Sequence, residues 1–296
     1  MSHPQVALPA EAIAEMDHPE DGTHEIAPDL AYRRLAMVNV IFYGRPNCGD
    51  RGWVLIDTGV PGLGGLIRSA AEDRFGKGAQ PAAIILTHGH FDHVGNLKSL
   101  AQEWDVPVYA HGLEHPYLTG RAKYPPPDTS VGGGIMPTFA PLFPGGPIDV
   151  SPWLNELPRQ GEVPFMPGWR WIHTPGHSPG HVSLWRATDR TLIAGDAFIT
   201  THMESAYSVI TQKPEMHGPP AWLTPDWEAA HKSVVALAEL DPELVVTGHG
   251  RAMQGPQMLA ALQVLAWDFQ KLAVPHQGHY VLHPARAEDG SAYCDP

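Results

Sequence analysis

The sequence has little cysteine, little positive charge and no long apolar run, and each shortage excludes something. Only Cys48 and Cys294 are present in 296 residues, and they stand far apart. That is too few for a disulfide framework and fits a reducing compartment. Lysine and arginine number 19 against 32 acidic residues, for a formal net charge of −13. Affinity for a phosphate backbone comes from clustered basic residues; no basic run appears, so no nucleic-acid partner is expected. No stretch approaches the roughly 18 unbroken apolar residues that a membrane span needs, so no membrane partner is expected either. The opening, MSHPQVALPAEAIAEMDHPED, carries acids where a signal peptide has a basic start and an apolar stretch. The expected location is cytoplasmic.

What is present reads as a globular protein. Hydrophobic residues make up 43% and charged residues 17%, a balance that can bury a core. The length fits one large domain or two small ones. We expect an N-terminal arm, or a partial edge element, over 1–30 and a single domain over 31–296. Thirty glycines and 31 prolines imply many loops, and they concentrate in a Pro/Gly-rich insertion over about 111–168. That insertion shows no sustained period, so it is either a lid, an oligomer contact or a set of short elements. Strands are expected from Ala31, at Trp53–Gly59, Ala82–Leu86 and Val106–Ala110, then in WRWIH, HVSLWR, TLIAGD and ELVVTGHG. Helices are expected over Leu63–Phe75, after Val94, from the cap Thr224-Pro225-Asp226 to Leu240, and over Pro256–Leu272. Strands, helices, strands, helices in that order suggest two sheets with helices outside.

Histidine is abundant, at 18 residues, and its placement matters more than its number. His88-Gly89-His90-Phe91-Asp92-His93 puts three imidazoles and a carboxylate on a loop after a strand. Neutral imidazole and carboxylate are preferred ligands of zinc and similar divalent ions. His88 and His90 can face one ion while Asp92 and His93 face another, with Gly89 letting the backbone pass close to the metal. Three weaker signals follow, each at the end of an expected strand: HTPGHSPGH with His173, His177 and His181, IAGDAF with Asp196, and VVTGHG with His249. A lone buried histidine is usually structural, and His173 is read that way. His181 is weighed between a structural place and the support of a ligand, and His202 is a residue that can face the pocket. Neither cysteine is paired with a histidine as a thiol nucleophile would be.

In this order, LIDTG, HGHFDH, PGH, AGD and TGHG resemble the two-metal branch of the metallo-β-lactamase-fold hydrolases, which includes glyoxalase II and the acyl-homoserine lactonases. The resemblance runs from about Val54 to Gly250. It implies an α+β fold, a four-layer αβ/βα sandwich with the site at the edge shared by its two sheets. It implies that His88, His90 and His177 hold one metal, that Asp92, His93 and His249 hold the other, and that Asp196 bridges them. Asp57 looks like the family's supporting acid, which orients ligand-bearing loops. The expected cofactors are two divalent ions per chain, zinc first, with manganese or iron as alternatives.

Two ions about 3.5–4 Å apart can share a hydroxide at neutral pH, and no protein nucleophile is then needed. The expected activity is hydrolysis of a small-molecule ester or lactone, with Asp92 carrying a proton to the leaving group. Thioester and phosphotriester hydrolysis are the alternatives within that class. A persulfide dioxygenase with a single iron is the alternative outside it, and a scaffold that retains metal without turnover is a third possibility. Asp196 weighs against lactam hydrolysis, because the family's lactamases usually place cysteine or serine there. Ile199 stands where the acyl-homoserine lactonases often have tyrosine, with Tyr207 the next tyrosine downstream. Only 46 residues follow Gly250, fewer than the helical region of glyoxalase II requires. Tyr117, Tyr124, Phe139, Phe143 and Trp153 are candidates for an apolar pocket wall, and a homodimer is one possible assembly.

Overall fold

The computed structural model describes residues 6–15, 23–131, 148–203 and 213–296. A short strand, β1 (Val6–Ala7), is followed by β2 (Thr23–Ala27), β3 (Leu30–Leu35), β4 (Val38–Tyr43), β5 (Val54–Ile56), β6 (Ala83–Ile85), β7 (Val108–Ala110) and β8 (Leu154–Glu156). Strands β2 to β8 form a seven-stranded sheet in sequence order, antiparallel up to β5 and parallel from β5 onward. Later come β9 (Trp169–His173), β10 (Val182–Arg186), β11 (Thr191–Gly195), β12 (Glu215–Met216), β13 (Leu244–Thr247) and β14 (Met253–Gln254). Five of these make a second sheet in the order β14-β13-β11-β10-β9, while β1 pairs with β12.

Side-chain alternation sets the layers, because successive residues of a strand face opposite ways. In β4, Val40 and Phe42 pack toward the helices Gly64–Phe75 and Leu97–Trp104, alongside Ile67, Phe75 and Leu100. Ile41 points the other way, into a core shared with Ile56, Ile85, Leu184, Ile193 and Val246 from both sheets. On the far side, Leu192 and Val245 meet Val234 and Leu237 of the helix Trp227–Ala238 and Leu262 of the helix Gly255–Trp267. Helix, sheet, sheet and helix therefore stack in four layers, the expected αβ/βα sandwich. Each fully buried aliphatic or aromatic side chain contributes about 1.5–3 kcal/mol.

Several boundaries differ from the sequence reading for local reasons. The helix expected from Thr224 begins at Trp227, capped by Asp226, whose side chain accepts from the Ala229 amide. Thr224 is engaged elsewhere, donating to Pro220 O. The last long helix ends at Trp267, and a separate turn, Phe269–Leu272, follows Asp268. Within 111–168 lie a 3-10 turn at Gly112–Glu114, a short helix at His115–Leu118 and β8. All three are too short to show a period. Residues 132–147 of that segment, including Phe139 and Phe143, lie outside the described residues, as does Tyr207.

The topology gathers the motifs at one end. Asp57 follows β5, His88 follows β6, Asp196 follows β11 and His249 follows β13. Strands β5 and β6 are parallel, as are β11 and β13. The carboxyl ends of parallel strands are where open sheets leave a crevice for ligands.

Candidate metal centre

The structure brings all seven residues expected as ligands into one buried cluster. His88, His90 and His177 have ligand atoms within 4.8 Å of one another, and so do Asp92, His93 and His249. A third group joins His88 and His93 to Asp196. Asp196 lies between the two triads. Its Oδ2 is 3.4 Å from His177 Nε2, 3.5 Å from His93 Nε2 and 3.1 Å from His249 Nε2.

Supporting groups orient the rings. Asp57 Oδ2 meets His93 Nδ1 at 2.8 Å and accepts from Thr87 Oγ1 at 2.7 Å, while its Oδ1 accepts from the Thr87 amide. Asp57 itself holds a left-handed φ of 58°, a strained conformation for a residue with a side chain. His249 Nδ1 donates to Met37 O at 2.8 Å, His177 Nδ1 meets Thr224 Oγ1 at 3.3 Å, and His88 Nδ1 meets Thr87 Oγ1 at 3.1 Å. Fixing one ring nitrogen in this way aims the other at a ligand.

His90 Nδ1 and His177 Nε2 meet at 2.9 Å, but three other inward-facing atoms have no hydrogen bond among the described residues. His88 Nε2, His93 Nε2 and Asp196 Oδ1 are buried in this way, each worth about 1–3 kcal/mol if left unmet. Imidazole nitrogens and a carboxylate oxygen converging in this way fit a divalent cation.

Electrostatics divide the cluster in two. Burial, reinforced by the neighbouring imidazoles, drives His88 and His177 well below the ordinary histidine range and His90 to about 3. These rings stay neutral, the form that binds metal. Burial acts the same way on His93 and His249, but Asp196 with Asp57 and Asp92 outweighs it for the first, and Asp196 with Asp92 for the second; both are raised. Burial would push Asp196 up, yet His249 and His93 hold it well below the usual carboxylate range.

The remaining histidines separate by contact. His181 is fully buried, accepts from the Asp196 amide at 2.9 Å through Nε2, and reaches Thr174 Oγ1 at 2.8 Å through Nδ1. It therefore fixes the backbone of Asp196. A Cβ on Gly195 would lie 2.6 Å from His181 Nε2, which accounts for the glycine before that aspartate. His173 is exposed, bonds Pro179 O and stacks on His111 with centroids 4.3 Å apart. His202 stacks on His217.

Gly89 has a different role from the one its position in the motif suggests. A Cβ there would meet Tyr124 OH at 2.6 Å and Glu114 Oε2 at 3.3 Å, not the metal side. Glu114 escaped the sequence reading, since HGLEHP marks nothing. So did Asn39, whose Nδ2 donates to Thr247 O and Gly250 O on either side of His249.

Beside His90 lies a small hollow lined by Tyr124, Pro126, Trp222, Leu223, Pro225 and Tyr280. Of the aromatic residues expected at a pocket wall, Tyr124 lines it. Tyr117 stacks behind Tyr124 with centroids 3.6 Å apart, and Trp153 packs on the far helix-side core. Trp222, Leu223 and Tyr280 come from segments the sequence did not connect with the site.

Fold and site together define a metal-binding αβ/βα sandwich. The family model described as the metallo-beta-lactamase superfamily matches residues 33–249, and the chain belongs to that superfamily. It is 47% identical over 232 residues to the Bacillus subtilis (strain 168) protein named "Probable metallo-hydrolase YflN", covering 78% of this chain and 88% of that one. Among solved structures, TTHA1623 in a di-iron-bound form is 28% identical with a TM-score of 0.50, over 77% of this chain and 94% of that chain. The B3 metallo-beta-lactamase BLEG-1 matches at 22% identity and a TM-score of 0.52, over 75% and 93% of the two chains. At that identity it shows a shared fold alone.

Proposed function

We propose that the protein is a two-metal hydrolase acting on a small-molecule ester or lactone with an apolar acyl or aryl group. The observation that carries this reading is Asp196 Oδ2, which reaches imidazoles of both triads at 3.1–3.5 Å. One triad alone would not call for such a carboxylate. Similarity to a protein named a metallo-hydrolase supports the reaction class. When bound, the ions supply Lewis acidity and an activated water near neutral pH.

The chain's own residues do the rest. His88, His90 and His177 would hold one ion, Asp92, His93 and His249 the other, with Asp196 shared. Asp92 Oδ2 lies 3.4 Å from His249 Nε2, placing a carboxylate to carry a proton to the leaving group. Ser178, beside His177, donates its hydroxyl to Glu114 and is not free to act as a nucleophile. The hollow beside His90 would orient an apolar group, and the net charge of −13 favours a neutral substrate over a polyanion.

Zinc is our assignment from the nitrogen and oxygen donor set, and the di-iron relative makes iron the competing outcome. Elemental analysis of gently purified protein should return close to two divalent ions per chain. A single iron would instead support the dioxygenase reading. Metal-loaded protein screened on aryl esters, lactones, thioesters and phosphotriesters should turn over the first two. Turnover confined to the last two would overturn the substrate assignment and leave the metal site standing.

A further inference from the structure

Asp57 supports His93 directly and His88 through Thr87, but the first triad has a further brace that has no counterpart in the motifs. Glu114 is fully buried, and its carboxylate receives four donors. Oε2 accepts from the Gly89 amide at 2.9 Å and from Tyr124 OH; Oε1 accepts from Ser178 Oγ at 2.9 Å and the Gly180 amide at 2.8 Å. Gly89 sits between His88 and His90, while Ser178 and Gly180 follow His177. One side chain thus ties together the two loops that supply the first triad.

The surrounding backbone is shaped for it. A Cβ on Gly180 would stand 2.8 Å from Glu114 Cγ and 2.9 Å from its Oε1. A Cβ on Gly89 would strike Tyr124 OH, and that hydroxyl also accepts from the Gly89 amide at 3.0 Å. The Tyr124 ring in turn lies 4.3 Å from the ring of His90, centroid to centroid. Four donors facing two oxygens call for an ionised, acceptor-only group. Burial opposes that state and outweighs the pull of Tyr124, Ser178 and the two amides, so the Glu114 carboxyl is raised above its ordinary range. Four donors converging on two buried oxygens make a specific brace, not packing.

The second triad relies on other groups. Asp57 holds His93, Met37 O holds His249, and neither touches Glu114. We infer that Glu114 is a positioning residue for the ion held by His88, His90 and His177, and leaves the ion at Asp92, His93 and His249 largely untouched.

This inference rests on the two-ion reading of the site. The test uses cobalt(II) as probe, following its absorption and its competition with a chelator. Wild type should take up two cobalt ions; uptake of one would overturn the two-ion reading and the division of labour with it. In a His249→Ala background, which keeps the first triad, Glu114→Gln should weaken the remaining ion by about 10–100-fold. In a His90→Ala background, which keeps the second triad, the same change should have little effect. Equal weakening in both backgrounds would mean general destabilisation and would overturn the role of Glu114 alone. Ser178→Ala removes one donor without stranding the carboxylate, and it should produce a smaller loss confined to the first triad. If Glu114→Gln fails to fold, that variant decides, and no effect on either ion overturns the inference.

Discussion

On the two-ion reading proposed above, Asp196 must be uncrowded to be shared, and the space around it comes from Gly248. A Cβ on Gly248 would lie 2.0 Å from Asp196 Oδ1 and 2.8 Å from His93 Cε1. Its φ is outside the left-handed region, so alanine meets no left-handed strain there and the close contact is the expected effect. Gly248→Ala should therefore displace Asp196 and weaken both ions by roughly 10–100-fold, the scale seen when ligand supports are removed. Metal titration checks this, alongside thermal unfolding of the apo protein. Two ions held at wild-type affinity would show that Asp196 has room to move. The proposed ligands were legible because HGHFDH packs four of them into six residues and the others follow strands. Glu114 and Asn39 were not, and for His181 the sequence left a structural place and the support of a ligand both open. Glu114 reaches Gly89 across 25 positions and Gly180 across 66, and Asn39 reaches Thr247 across 208. Such partnerships exist only once the sheets have paired.

Between residue and fold, the helix Trp227–Ala238 supports the loop that carries His177. Ser233 Oγ donates to Pro175 O at 2.7 Å, and a Cβ on Gly176 would lie 2.3 Å from the Ala230 amide nitrogen. Asp226 caps this helix through Ala229 N and accepts from Arg286 Nε at 2.7 Å. Loss of such a cap costs about 1–2 kcal/mol, so Asp226→Ala should lower the midpoint of thermal unfolding by roughly 2–4 °C. Metal content should stay at the wild-type level, because Gly176 and Ser233 keep their contacts. A fall in bound metal with no fall in midpoint would mean that the cap acts on the site and not on the helix. The helix expected over Leu63–Phe75 is found at Gly64–Phe75, and the one whose apolar residues recur at helical spacing after Val94 is found at Leu97–Trp104. Starts were harder to read. Thr224 has the residue type of a cap, but its hydroxyl is taken by Pro220 O and His177.

Across the whole molecule, segments outside the central sheets close onto the site from both ends of the described chain. At the C-terminal side, Tyr280 donates to Pro126 O, and the Ala292 carbonyl accepts from Tyr117 OH, which holds the wall of the hollow beside His90. At the N-terminal side, Ala14 N donates to Ala252 O, and Glu15 is gripped by Arg251, two residues past His249, and by Tyr32 OH. No composition or period foretold these ties, since they depend on where the four layers leave the chain. Burial pushes the Glu15 carboxyl up, but the bonds from Arg251 and Tyr32 and the nearby His24 outweigh it, so the folded value lies below the ordinary 4.5. The unfolded chain then takes up the proton first. Stability from Glu15 is accordingly present above about pH 4.5 and is lost as pH falls through the folded value. Glu15→Gln should cost on the order of 2 kcal/mol at pH 7, as expected for hydrogen bonds to a charged group, and much less near pH 3. Urea unfolding of both proteins at each pH, with chelator present throughout so that metal release does not contribute, measures the difference. An equal gap at both pH values would mean that Glu15 acts through its shape, and that its charge does not hold the N-terminal segment to the His249 loop.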